Sequence, residues 1–526
     1  MSTPGTRSPG TPAPPASPPP RGGPAEGAAG GPVAVAAVDL GATSGRVMLG
    51  VLEQGRIELL PAHRFENRLA ERDGHLSWDI DALWAEIRQG LTEAHRLARG
   101  RGLAGLSSIG IDSWAVDYAL LGPDEVGPDG TPVPGSGARI GEVIAYRDSR
   151  TETVADEFAR RVSRQRQFAL TGIAQQSFNT LYQLAAEHRL AELPPGSSLL
   201  MVPDLLGYLL TGQRRTELTN ASTTGMLAAQ GHEWSAELLE AAGVERELLA
   251  PLIAPGEQLG TVLAPLAAQL GIGEVPVHAV GSHDTASAVL AVPSEGSGST
   301  AYISSGTWSL IGLELEAPVL TEEAREAGFT NEGGVDSTVR LLKNVAGMWL
   351  VSESIRQWEE EGARVELADL LEAAAAVPGD RFRIDPTDPA FLAPGRMADR
   401  VTAAARPLTD EDEFPRTPAQ LVRCILESLA ETYRDELHAA CRLAGVPLPS
   451  RLHVVGGGSR NALLNQLTAE ALGIEVVAGP MEATALGNVA LQARTLGAIP
   501  AEPGALRKVV RESVELEVFA AGVPAR

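Results

Sequence analysis

The stretch GSHDTASAVL, residues 281–290, sets His283 and Asp284 side by side at the start of a small, apolar run. Two chemistries suit that aspartate. Its oxygens can accept from the unpaired N–H groups of a helix's first turn, where a carboxylate also suits the helix dipole. Alternatively, a carboxylate held within reach of a hydroxyl can orient it and take its proton as the oxygen attacks. Taken alone, the stretch leaves both readings open. Three glycine turns add a second kind of chemistry: DLGATSGR (39–46), SSGTWSL (304–310) and VVGGGSRN (454–461). Phosphate groups need close backbone approach, which glycine permits, and N–H or hydroxyl donors. Asp39 stands at a strand end, where it can hold Mg²⁺ directly or through water. Neither a GxxxxGK[ST] loop nor a dinucleotide fingerprint occurs, and each turn alone also suits an ordinary hairpin or strand-to-helix loop.

The elements that must position these residues follow from hydrophobic pattern. Val33 to Leu60 is predicted as strand, Gly/Ser/Thr turn and returning strand, and WDIDALWAEIRQGLTEAHRLA as a helix. LSSIGIDSWAVDYALLG holds two strands around Asp112 to Asp117, and GPDEVGPDGTPVPGSGARIGE is a surface loop. Short helices occupy much of 150–250, and VPVHAVGSHDTASAVL is a strand entering a turn and a helix. A second strand, turn, strand unit runs from Thr300 to Leu320; it shares its pattern with the first, half a chain away, as a duplicated two-domain protein would. LHVVGGGSRNALLNQLTAEAL is strand, glycine turn and helix; GIEVVAGP is a strand, and EATALGNVALQARTLG a helix with small residues at close-packing spacing.

Bulk properties narrow the partners. A chain of 526 residues exceeds one ordinary core. Its 43 Lys and Arg against 67 Asp and Glu give a net charge of −24, which argues against nucleic acid or an anionic membrane as partner. A phosphorylated ligand must then be bound locally, by backbone N–H groups, helix N-termini or a divalent metal. The two cysteines, Cys424 and Cys441, lie in a helical segment without metal or disulfide spacing and are expected to be reduced, structural thiols of a cytoplasmic protein. Residues 1–32 are rich in Pro, Gly and Ala, lack the apolar core of a signal peptide, and are expected to be disordered.

DLGATSGR, GSHDTASA, SSGTWSL, VVGGGSRNALLNQLTAEAL and EATALGN, in this order, resemble the actin-like ATPase superfamily, and within it the FGGY sugar kinases. The resemblance covers residues 33 to about 500 and is specific as a set. A closer likeness, to the branch acting on L-rhamnulose, rests on WDIDALW, SIGIDSWAVDY, AYRDSRT, FNTLYQL, SHDTASAV, NEGG and LLKNVAGMWL. It implies an α/β protein of two actin-like domains, each a mixed sheet flanked by helices, around a cleft: a sugar-binding domain over 33–293, a nucleotide-binding domain over 294–500, and an extension over 501–526. ATP and Mg²⁺ are the implied cofactors and a small ketose the partner; the oligomeric state, monomer or weak homodimer, is left open by the sequence.

Residue by residue, the resemblance makes Asp284 the base for the acceptor hydroxyl, with His283, Thr285 and Asn344 on the sugar. Ala42, Thr43, Ser44, Gly45 and Arg46 would meet the phosphates, Thr307 the β- or γ-phosphate, and Gly457 the adenosine. Trp114 and Asp117 lie where such kinases form the sugar pocket, an indole face suiting a sugar's C–H surface and a carboxylate its hydroxyls; a core aromatic and a turn aspartate are the alternative reading. AYRDSRT equally suits a salt-bridged turn. Two positions depart from the pattern: Ala115 stands where a glycine would lie against the sugar, and Ser352 where a longer amide would reach the nucleotide. Rival expectations are a kinase of L-fuculose or D-xylulose, and a non-catalytic, nucleotide-gated sugar sensor.

Overall fold

The structure is a computed structural model that describes residues 31–295, 299–408 and 414–522. The expected tail therefore lies outside the described residues except for its last two positions, as do the final four residues of the chain.

The first half is built on β1 (Val33–Leu40), β2 (Ser44–Glu53), β3 (Arg56–Glu66), β4 (Ser108–Ser113), β5 (Gln258–Thr261) and β6 (Pro276–His278), in the order β5-β6-β4-β1-β2-β3. β1 shows why a continuous apolar run, rather than alternation, marked it: Ala34, Ala36 and Val38 enter one core while Val35 and Ala37 enter another. A strand covered on both faces has no solvent side to mark. β2 returns antiparallel, pairing Arg46 opposite Asp39. β4 joins parallel, pairing Asp112 beside Asp39.

The second half repeats this plan. β7 (Thr300–Ser305) pairs antiparallel with β8 (Ser309–Leu315) and parallel with β11 (Arg451–Val455). With β9 (Thr330–Gly333), β10 (Val339–Val345), β12 (Glu475–Ala478) and β13 (Glu517–Phe519), they form a seven-stranded sheet in the order β9-β10-β8-β7-β11-β12-β13. The duplication expected from the two hairpins thus extends to their strand neighbours. β13 belongs to the segment expected as a C-terminal extension, yet it pairs with β12 as an edge of that sheet.

Helices cover both sheets. α1 (Ile80–Gly100) starts where the Asp79 carboxylate accepts from Ala82 N, and it buries Leu83, Ile87, Leu91, Ala94 and Ala98 along one face. α2 (Asp284–Leu290) leaves the site, α3 (Trp349–Glu360) follows β10, and α4 (Pro418–Ala444) carries Cys424 and Cys441 as buried free thiols. Burial pushes the Cys424 thiol up to about 12. α5 (Ala462–Leu472) follows the glycine turn and α6 (Ala483–Thr495) comes after β12. Among the described residues no helix is long and apolar enough to cross a membrane.

α6 joins the halves. It crosses α2 so closely that a Cβ on Gly487 would fall 1.9 Å from the Ser287 carbonyl oxygen. On its other side, fully buried Asn488 donates to Asp112 Oδ2 at 2.6 Å, and Gln492 donates to Asn488 Oδ1 at 2.6 Å and to the Ala36 carbonyl at 3.1 Å. A backbone oxygen cannot be repacked like a side-chain end, so Gly487→Ala must separate two helices. Denaturant unfolding is expected to show a loss of about 2 kcal/mol or more; unchanged stability would refute the close crossing.

Candidate active site

Three carboxylates converge at the C-terminal ends of neighbouring strands, the usual place for a ligand crevice in α/β sheets. Asp39 and Asp112 stand in register, and Ser113 N donates to the Ser282 carbonyl at 2.9 Å, which brings the Asp284 segment alongside. Burial raises the Asp39 carboxyl; Arg46 opposes that, while the charges of Asp284 and Glu482 add to it. Burial also lifts Asp112 well above the usual range, with Asp39 and Asp284 contributing. Arg46 is the cation in this field: Nη2 lies 2.7 Å from Asp39 Oδ2, and Nη1 contacts Glu482. Asp112 Oδ1 is buried and has no hydrogen-bond partner among the described residues. A buried carboxylate oxygen without a donor, next to a second carboxylate, suits a divalent cation. No group of three or more His, Cys, Asp or Glu among the described residues is arranged to hold a metal by protein alone. Mg²⁺ is commonly held by one or two carboxylates together with substrate phosphates, so this donor set fits it.

The His283–Asp284 segment is fixed from beneath. Glu217 is 2 % exposed and caps the short helix Leu218–Thr223, accepting from Thr219 N and Asn220 N. The same carboxylate accepts from Ser282 N at 3.0 Å and Ser282 Oγ at 2.6 Å, and Thr219 Oγ1 accepts from His283 N at 3.2 Å. His283 occupies the N-cap position of α2 without a side-chain cap bond, and Asp284 is the first helical residue. Asp284 Oδ1 accepts from Thr285 N at 2.5 Å and Thr285 Oγ1 at 3.0 Å. No hydrogen bond from the described residues reaches Oδ2. One oxygen thus ties the helix start, as one of the two readings left open by sequence expects, and the other carries no hydrogen bond from the described residues on a side chain 32 % exposed.

The expected sugar wall is built around a turn. Asp117 N donates to the Ala115 carbonyl at 3.0 Å, a three-residue turn that sets the β-branched Val116 at φ 68°. Asp117 is buried and its oxygens accept from Trp78 Nε1 at 2.6 Å, Trp114 Nε1 at 3.0 Å, Tyr146 N at 3.2 Å and Gln183 Nε2 at 3.1 Å. Trp114 is buried too, its ring 4.3 Å from that of Trp78. As placed, Asp117 orients two indoles and spends its acceptors on the protein; Ala115, half-buried, is the part of this turn that reaches the surface. In AYRDSRT, Asp148 pairs with His75 and accepts from Leu76 N and Arg150 N, while Arg150 bonds Gln183 Oε1 at 3.0 Å, so this segment buttresses the same wall.

The residues expected on the nucleotide form a separate group. Thr43 and Ser44 are exposed at the tip of the first hairpin, beside half-buried Ala42 and buried Gly45. Thr307 is exposed on the second hairpin, and its carbonyl accepts from Trp349 N at 2.8 Å, which places the start of α3, with exposed Ser352, beside it. The glycine turn lies against the same hairpin: a Cβ on Gly458 would fall 1.9 Å from Ser305 Oγ, whereas one on Gly457 would meet nothing within 4 Å. Arg46 and Arg64 both reach Glu482, two residues past Pro480, whose carbonyl accepts from Gly456 N; this links the first hairpin to the glycine turn. Asn344 is exposed on β10, and its side chain makes no hydrogen bond among the described residues.

Comparison with known proteins agrees with this geometry. Residues 34–291 match the N-terminal domain, and 301–496 the C-terminal domain, of the FGGY family of carbohydrate kinases. The chain belongs to that family. It is 42 % identical to a rhamnulokinase of Bacteroides thetaiotaomicron, covering 92 % of this chain and 95 % of the relative. It is 40 % identical to a rhamnulokinase of Enterococcus faecalis, covering 92 % and 94 %. A glycerol kinase of Plasmodium falciparum, solved with ADP, superposes with a TM-score of 0.74 over 93 % of this chain and 94 % of that one at 14 % identity, which speaks to the fold alone. The kinase thus has the two-halved, actin-like α/β architecture.

Four charged residues of this FGGY kinase site carried no assigned role in the sequence: Asp112, Glu217, Glu332 and Arg340. Arg340 did leave a signal, a cation inside the apolar strand VRLLKNV, where burial is permitted only with a partner. Glu217, in the short TELTN, had none.

Asp117 gives this wall a pH signature. Burial pushes its carboxyl up to about 6 from 3.8, against the donors of Trp78, Gln183, Tyr146 and Trp114. A value raised by folding contributes stability below the unfolded value, and that contribution is lost as pH rises through about 6. Asp117→Asn removes the titration. Urea unfolding is expected to show wild type gaining about 2 kcal/mol over the variant between pH 7 and pH 4; a pH-independent difference would refute this.

Proposed function

We propose that this carbohydrate kinase transfers the γ-phosphate of ATP to the 1-hydroxyl of L-rhamnulose. The observation that carries the mechanism is Asp284: one oxygen is tied to the helix start, and the other is free beside the carboxylates and hairpins that would hold the phosphates. The identities to rhamnulokinases over nearly the whole chain support the sugar.

The acceptor O1 attacks the γ-phosphorus, the bond to the β,γ-bridging oxygen breaks, and Asp284 Oδ2 takes the hydroxyl proton. His283, Thr285 and Asn344 bind the sugar's other hydroxyls, and Ala115 forms the opposite wall. Backbone N–H groups of 42–46 and the hydroxyls of Thr43, Ser44 and Thr307 donate to phosphate oxygens. Gly457, with its open face, lies under the adenosine, and Ser352 lies near the nucleotide. Asp39, with Asp112 behind it, would hold Mg²⁺, which when bound neutralises phosphate charge in the transition state. Closure of the two halves excludes water, the competing acceptor.

Release of ADP with a panel of ketoses is expected to be fastest with L-rhamnulose. A preference for L-fuculose or D-xylulose would overturn the sugar, and no turnover with any of them would overturn the kinase reading for this chain. Asp284→Asn is expected to keep sugar binding, read by calorimetry, while kcat falls about 10³-fold; near-normal turnover would remove Asp284 as base. Asp39→Asn is expected to weaken Mn²⁺ binding in the presence of ADP, read by electron paramagnetic resonance; an unchanged titration would take Asp39 out of the metal site.

A further inference from the structure

The NEGG stretch has a partner in the fold that the transfer mechanism leaves unused. Its Glu332 lies on β9, the edge strand of the second sheet, directly opposite Arg340 on β10. The far side of β9 is fastened to the first half: Gly333 N donates to Ser222 Oγ at 2.8 Å, Asn331 N to the Gly172 carbonyl at 2.9 Å, and Ala174 N to Thr330 Oγ1 at 3.3 Å. Arg340 is completely buried. Its Nε donates to the Gly333 carbonyl at 3.1 Å, and its Nη2 lies 3.1 Å from Glu332 Oε2 and 3.0 Å from His283 Nδ1.

A guanidinium keeps its protons under all ordinary conditions and accepts nothing. An Arg N–H directed at Nδ1 therefore requires a lone pair there, and the proton of the neutral imidazole then sits on Nε2. Nε2 lies 3.4 Å from Asp284 Oδ1, the oxygen already tied to Thr285. Glu332 Oε2, 3.3 Å from Nδ1 and 3.1 Å from Nη2, is close enough to serve as counter-ion to a cation without solvent.

We propose that Arg340, with Glu332 as counter-ion, is a positioning residue of the transfer site: it fixes His283 as the Nε2–H tautomer and turns that N–H toward Asp284 and the sugar. The inference rests on the reading of Asp284 as base. It places that N–H beside Oδ1, the oxygen Thr285 already occupies, and leaves Oδ2 for the acceptor's proton. It also makes the base depend on the second half of the molecule, since both positioning side chains come from that sheet.

The test is a two-bond ¹H–¹⁵N correlation of the histidine rings in the ¹⁵N-histidine-labelled full chain at pH 7, with His283 assigned by the signals lost in His283→Gln. The expected result is an unprotonated Nδ1 and a protonated Nε2; an Nδ1–H tautomer or an imidazolium would overturn the proposal. Arg340→Met is expected to convert His283 to averaged tautomers and to lower kcat about tenfold or more, with KM for ATP within about twofold. A variant with unchanged His283 signals would also overturn it. The measurement on the unmodified chain decides even where Arg340→Met does not fold. It needs no turnover, so a chain that phosphorylates no ketose yet shows the Nε2–H tautomer would lose the functional reading and keep the tautomer.

Discussion

Glu217 has no contact with solvent to speak of, and its carboxylate is met by N–H and O–H donors from Thr219, Asn220 and Ser282. Burying a carboxylate costs several kcal/mol unless donors replace its water, and here they come from the helix that Glu217 caps and from the loop that delivers His283 and Asp284. The two cannot separate without stranding that charge. The placement of Asp284 follows from this one constraint: the start of α2, the approach of Ser113 to Ser282, and the alignment of Asp284 with Asp39 and Asp112. Asp204 reinforces it from behind, donor-poor and lifted well above the usual range by burial and by Glu217's charge, while one of its oxygens accepts from Glu217 N.

Around that fixed segment the molecule uses the same plan twice for different purposes. In the first half the hairpin and its parallel neighbour bring acidic side chains to one edge. In the second, the equivalent hairpin and β11 bring a hydroxyl and a bare glycine turn. Charge is concentrated where a proton and a cation would be handled, and backbone is exposed where a flat, neutral ring system would lie. α6 holds these unlike edges at a set distance through its amides, which satisfy Asp112 on one oxygen and leave the other without a donor among the described residues.

What was legible in the sequence was local. Strand, glycine turn and returning strand leave an apolar run interrupted by small residues, and both hairpins, the start of α2 and the helix after the glycine turn stand where that pattern put them. The duplicated plan was visible because the two hairpins share it. Arg340 was not legible as part of the site, because its partners Glu332 and His283 come from another strand and from the other half of the chain. Asp117 shows a second limit: an aspartate near tryptophans suggested a sugar contact, but whether its oxygens face a ligand or the indole N–H groups depends on the turn at Val116. Glu217 was hidden for the plainest reason, since a single buried carboxylate in a short polar stretch has no periodicity to betray it.

Gly456, Gly457 and Gly458 are identical in sequence and unlike in cause. Gly456 sits at φ 86° with the Ser305 carbonyl 2.8 Å from where a Cβ would be, and Gly458 is pressed onto the Ser305 hydroxyl. Gly457 faces open space, at a backbone angle that any residue adopts. The outer two are thus demanded by the fold, and the middle one is left free by it. A Cβ introduced at 457 meets no protein atom within 4 Å, so a small side chain can be placed in the middle of the glycine turn without the clash that either neighbour would cause.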